Sequence, residues 1–282
     1  MSVSTVGSVQ NSTVATGASR YTKHINFLLD QNADCFHASH GNKPPSAILV
    51  PAQIRTRNKA YIVQANHCFR LGIRCSVLAT VLFDRVCDRL HLLRAVTSAD
   101  LVPYSMACLS LATKSTTTHT LKFADIVGTM PYYVRVPEDV CSPPKIHHAE
   151  IHVLSLLDWN ININTPIDVL HSMLGFLDKA VSEEIENDAE VYVQMGLLNN
   201  FSQASQGAET ISAAGACLLS FATVMNISFQ EALDLSQDFA ARFLPDSKDR
   251  EDVLAWCHRI RALETAASVL DHTKTSYPAP NA

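Results

Sequence analysis

Asp84 lies within residues 75–87, a segment that is otherwise apolar almost all the way round. A helix apolar on every face is buried inside a domain, where an unpaired carboxylate is strongly destabilising, so Asp84 demands a fixed cationic or hydrogen-bonding partner. Upstream, residues 51–71 carry Arg55 and Arg57; downstream, residues 101–114 form a second apolar-rich run closed by Lys114. Such runs describe helices stacked around one buried element. Apolar residues recur with a period near 3.6 through most of the chain, and only 9 of its 282 residues are glycine, so an all-α fold is expected. That length accommodates two domains, each with its own core.

Composition narrows the function classes. No apolar run is expected to reach the length of a membrane span, and residues 1–20 have neither a basic start nor an apolar core, so no signal peptide or membrane anchor is expected and the nucleus or cytoplasm is the expected location. A net charge of −5 provides no basic stripe for phosphates, which argues against a nucleic-acid partner. The cysteines (35, 68, 75, 87, 108, 141, 217 and 257) form no C-x-x-C pair and read as free, mostly core residues. Cys35, His37 and His40 lack a nearby fourth ligand, and the adjacent His147 and His148, with His152, point to different faces of a helix, so no metal site is assigned. No cofactor is expected either.

Punctuation sets the domain plan. Residues 1–20 are too polar to bury a core and are expected to be disordered, followed by a short N-terminal helix at 21–31 and a linker to residue 49. Helices are expected at 51–69, at 75–90, and from an Asp100 N-cap, with Pro103 in its first turn, to Lys114. A short helix at 121–127 and one opened by Ser142-Pro143-Pro144 and running to 158 complete a first unit at 50–163. Thr165-Pro166 opens the second unit, 164–272, with further helices at 188–202, 209–224, 228–243 and 248–270, the third of these started by a Ser228/Glu231 capping box. Residues 273–282 read as a flexible tail. The string 107–113 returns, one residue longer, at 216–223, which suggests duplication of a helical unit.

The stretches LGIRCSVLATVLFDRVCDR from Leu71, LVPYSMACLSLATK from Leu101 and AEIHVLSLLDWNININTPIDVL from Ala149 resemble a cyclin box. Cyclins repeat an Arg in the first helix, an Asp in the second, a Lys ending the third and a Glu in the fifth, matched here by Arg55, Asp84, Lys114 and Glu150. The resemblance implies two tandem five-helix cyclin-box domains and a short N-terminal helix. It implies a buried Arg55–Asp84 pair fastening the first two helices. Glu150 stands in line with Ile146, Val153, Leu154 and Leu157, so its carboxylate emerges within an apolar stripe and wants a cation. In the family the positions of Lys114 and Glu150 lie together on the face that binds a kinase, so these two, with Ile146, Val153 and Leu154, are the expected kinase contacts.

The implied function is that of a regulatory, non-catalytic subunit that activates a cyclin-dependent protein kinase in cell-cycle control, with kinase substrates or inhibitors as further partners. The substrate-docking groove of many cyclins maps to Ile54, Arg55, Asn58 and Tyr61, but Arg57 and Asn58 replace two apolar walls. Ser115-Thr116-Thr117 stand where an acidic pair usually follows the Lys. The rival reading is a cyclin-fold adaptor or transcription-factor-like binding module that activates no kinase.

Overall fold

The 3.6-residue period becomes helix throughout a computed structural model that describes residues 50–90, 97–117, 120–129, 140–177, 179–199 and 208–275. Among these residues there are eleven helices and no strand. The expected disordered segment 1–20, the N-terminal helix and linker 21–49, and the Cys35, His37 and His40 cluster lie outside the described residues, as does the end of the expected tail. The described chain divides into two compact units, one ending at Val169 and taking in residues 197–199 and 208–209, the other comprising 170–196 and 210–275.

In the first unit, α1 (Ala52–Cys68), α2 (Ile73–Arg89), α3 (Ser98–Thr116), α4 (Phe123–Thr129) and α5 (Pro143–Leu156) follow one another. Helix α3 packs against α1, α2 and α5. From Leu101 to Thr113 only Tyr104 escapes full burial, so α3 is the element around which the others stack. Its core partners include Ile62, Leu82, Phe83, Val86, Ile126, Ile146 and Val153.

Local chemistry sets the helix ends. Helix α3 starts earlier than expected: Thr97 is its N-cap, and both the backbone N–H and hydroxyl of Thr97 donate to Asp100 Oδ2, at 2.8 and 2.9 Å. Asp100 is thus the third helical residue of a capping box, and Pro103 falls inside the helix rather than in its first turn. Prolines 143 and 144 occupy the opening turn of α5, where a missing N–H costs nothing. At the ends of α1 and α5, Arg70 and Asp158 take left-handed φ of 52°, and the N–H groups of Leu71 and Trp159 bond back to the carbonyls of Asn66 and Leu154. Both are Schellman turns built without glycine.

The second unit contains most of α6 (Pro166–Leu174), α7 (Lys179–Leu198), α8 (Ala208–Met225), α9 (Phe229–Leu235), α10 (Gln237–Phe243) and α11 (Ser247–Thr275). Helix α7 begins nine residues before the expected 188, because Ile185, Ala189, Tyr192, Val193 and Leu197 make one continuous buried stripe. The Ser228/Glu231 capping box is present, but the single helix expected at 228–243 is broken at Ser236. The Ser236 hydroxyl donates to the Ala232 carbonyl at 2.6 Å, a local bond that competes with helix continuation. Helix α8 corrects another expectation: by length and composition alone it could cross a membrane, yet 67% of it is buried as a core helix. The echoing strings 107–113 and 216–223 fall in α3 and α8; the first is buried throughout, and the second is buried but for Phe221 and Thr223.

Packing on α11 explains two glycines. A Cβ added at Gly196 of α7 or at Gly215 of α8 would meet the Trp256 indole at 2.7 and 2.5 Å. Only glycine lets both helices approach that ring so closely.

Candidate functional site

Two sets of charged residues organise the first unit, one inside it and one at its surface. The inner set ties α1 to α2. Lys59 Nζ lies 2.9 Å from Asp84 Oδ2 and donates to the Leu197 carbonyl at 2.6 Å, with the ammonium fully buried. One turn away, Arg55 Nη1 pairs with Asp88 Oδ1 at 2.8 Å, and Arg55 Nε donates to the Val50 carbonyl at 3.2 Å. The expected Arg55–Asp84 pair is therefore corrected. The two helices run antiparallel, so residue 55 meets 88 while residue 59, one turn later, meets 84. Burial, with these ions nearby, pushes the neighbouring Cys87 thiol up to about 12.

The second set joins α3 to α5. Lys114, in the last turn of α3, forms an ion pair with Glu150 Oε1, and Ser110 donates to Glu150 Oε2 at 3.1 Å. Both carboxylate oxygens thus have a donor. The exposures differ: the Lys114 side chain is 39% exposed and that of Glu150 only 10%. A carboxylate held from within and an ammonium reaching the surface leave Lys114 N–H donors able to face a partner. Phe123 of α4 stands 5.6 Å from the Lys114 ammonium and 5.9 Å from the His147 ring, while Ser115 donates to Asn162 Oδ1 at 2.9 Å. The surface around the pair is thus partly aromatic.

Several expected site residues lie elsewhere. Ile146 and Val153 are fully buried among the core side chains and Leu154 packs against that core, so the first two cannot contact a partner. The outward face of α5 is instead formed by Lys145, His147, His148, Ile151 and Ser155. Ile151 is an exposed large apolar side chain. Its signal is readable in the heptad-like spacing of 144, 148, 151 and 155, opposite the stripe that includes 146, 150 and 153.

The expected docking positions also turn inward. Asn58 is fully buried, its amide donating to the Ile54 carbonyl at 3.1 Å and to the carbonyl and hydroxyl of Ser98 at 3.1 and 3.0 Å. Arg55 is occupied by Asp88, Ile54 packs against the core, and Tyr61 is buried, its hydroxyl accepting from Arg57 Nε at 2.8 Å. Asn58 and Arg55 are thus structural residues, and they cannot line a docking groove.

The sequence matches the family described as cyclin, N-terminal domain, over residues 25–162. Residues 25–162 belong to the cyclin family. The cyclin box accordingly includes α1 to α5 and both charged sets. The fold is also similar to a viral cyclin from herpesvirus saimiri, with 16% identity, a TM-score of 0.54, and 76% of this chain and 88% of that one covered. A chain in the structure of the CAK complex from Chaetomium thermophilum bound to ATP-gamma-S matches with 11% identity and a TM-score of 0.51, covering 86% of this chain and 74% of its own. No curated protein matches by sequence.

Proposed function

We propose that this chain is a regulatory subunit that binds a cyclin-dependent protein kinase and switches it on, in cell-cycle control. The observation that supports the reading is the Lys114–Glu150 pair, in which a buried carboxylate aims a half-exposed ammonium outward between α3 and α5. Such an ammonium can donate to backbone carbonyls of a partner helix, and Ile151, His147 and His148 supply the neighbouring surface. Pressed against the regulatory helix of the kinase, this face would bring the helix glutamate to the ATP-binding lysine and draw the activation segment away. An interface of about 1,600 Å² or more is expected. The chain would contribute no reacting group of its own. The second unit is read as a second, cyclin-like box, and the complex as nuclear or cytoplasmic.

Reconstitution tests this reading. The purified chain is mixed with individual cyclin-dependent kinase catalytic subunits, and both co-elution and peptide phosphorylation are measured. A stable complex with phosphorylation raised at least ~100-fold supports activation. Stable binding without a gain in activity would favour the adaptor reading, and no binding to any catalytic subunit would reject the proposal.

A further inference from the structure

Two carboxylates of α7 and an imidazole of α6 converge within the second unit, and kinase regulation has no use for them. Glu186 and Glu190 are one helical turn apart, so their side chains leave the same face of α7. His171 reaches them from the last turn of α6. Its Nε2 lies 2.7 Å from Glu190 Oε1 and 3.6 Å from Glu186 Oε1. One ligand atom from each of the three residues lies within 4.8 Å of the other two.

These distances suit a small cation. Ligands bound to a tetrahedral zinc at their usual bond lengths sit about 3.3 Å apart, so closing on the ion needs side-chain shifts of under about 1 Å. The side chains of His171, Glu186 and Glu190 are 29, 47 and 18% exposed, so two of the three are largely held by their surroundings. One neutral imidazole and two carboxylates together carry the two negative charges that a dication requires. Nitrogen in the donor set favours zinc-class transition metals over magnesium or calcium, which prefer all-oxygen cages with more ligands.

The local charge points the same way. Residues 183–190 include Glu183, Glu184, Glu186, Asp188 and Glu190, and Lys179 is engaged with Glu183. A cation entering this field is drawn toward the convergent oxygens.

We propose that His171, Glu186 and Glu190 form a binding site for a zinc-class divalent metal, with water completing the coordination. The ion would fasten the last turn of α6 to the middle of α7. This site is independent of the kinase-binding reading and stands or falls without it.

The full chain, stripped with a chelator and then titrated with zinc chloride against a chromogenic competitor in excess magnesium, provides the test. One equivalent should bind tightly and raise the melting temperature. In His171→Asn, and separately in the more exposed Glu186→Gln, that equivalent should weaken at least ~10-fold with helical content unchanged. His171→Cys, which supplies a thiolate but no imidazole for the ion pair, should keep the zinc-induced rise in melting temperature. Unchanged zinc stoichiometry and affinity in both His171→Asn and Glu186→Gln, or a wild-type chain that zinc neither binds nor stabilises, would overturn the site and leave a histidine–glutamate ion pair only.

Discussion

Lys59 and Asp84 form the more deeply buried of the two ion pairs that join α1 to α2, 2.9 Å apart, with the lysine side chain wholly removed from solvent. Such a pair need not stabilise the fold relative to apolar residues of the same volume, but removing one partner strands the other charge. Lys59→Ala is therefore expected to cost about 3–5 kcal/mol in urea unfolding. Lys59→Met combined with Asp84→Leu should recover most of that loss. A Lys59→Ala protein as stable as wild type would contradict the buried pair.

Arg55→Ala should be milder, costing about 1–2 kcal/mol, because Asp88 can turn to water once its partner is gone. The Asp88 side chain is 39% exposed, against 13% for Asp84. Equilibrium unfolding of both single variants decides the order. If Arg55→Ala proves the more damaging, the two rungs have been assigned the wrong weights.

That Asp84 needs a cation is legible in the sequence; which cation answers it is not. Arg55 and Lys59 lie one turn apart on α1, as do Asp84 and Asp88 on α2, so a one-turn slide between antiparallel helices would bring Arg55 to Asp84 and part Lys59 from it. The apolar period marks where α1 and α2 lie but not that slide. Glu150's place in an apolar stripe is readable too, and the structure brings it to Lys114. Ile146 and Val153 show the limit of the same reasoning: a stripe shared with a buried carboxylate is the core side of α5, so the solvent-facing side lies opposite, at Ile151. The start of α3 turns on reading Thr97 rather than Asp100 as the cap, since both residue types cap helices and only the reciprocal bonds separate them.

Gly215→Ala and Gly196→Ala should each destabilise the second unit. Overpacking against Trp256 costs about 1–3 kcal/mol, which exceeds the gain of up to about 1 kcal/mol from better helix propensity. Thermal melts of the two variants provide the measurement. An increase in melting temperature in either would show that the Trp256 ring can move aside.

Native-state alkylation followed by peptide mass spectrometry should label Cys68 ahead of the other described cysteines. Cys68 is exposed, whereas burial pushes the thiols of Cys217 and Cys257 up to about 12 and that of Cys141 to about 11, leaving almost no thiolate at neutral pH. Cys75, Cys87, Cys108, Cys141, Cys217 and Cys257 should react only after denaturation. Rapid labelling of Cys217 in the folded protein would contradict the packing of α8.

Glu231 should titrate below the ordinary glutamate value, because the Ser228 backbone N–H donates to its carboxylate at 2.9 Å within the capping box, and the Ser228 side chain adds to the lowering. A lowered folded-state value contributes stability that is fully present above the unfolded pKa and is lost as pH falls through the folded one. Carbonyl-detected NMR reads the midpoint directly, and Glu231→Gln should flatten this part of the acid dependence. A midpoint at or above the ordinary glutamate value would mean the box is open in solution.

The most direct test of the central claim is the affinity of the Lys114→Ala/Glu150→Ala variant for the catalytic subunit that the wild type binds, measured by calorimetry beside a melting curve. Loss of a half-exposed anchor at an interface predicts binding weakened by at least ~10-fold, about 1.4 kcal/mol, with helical content retained. Wild-type affinity in a folded double variant would contradict the account, because the α3–α5 edge would then not be where the kinase is held.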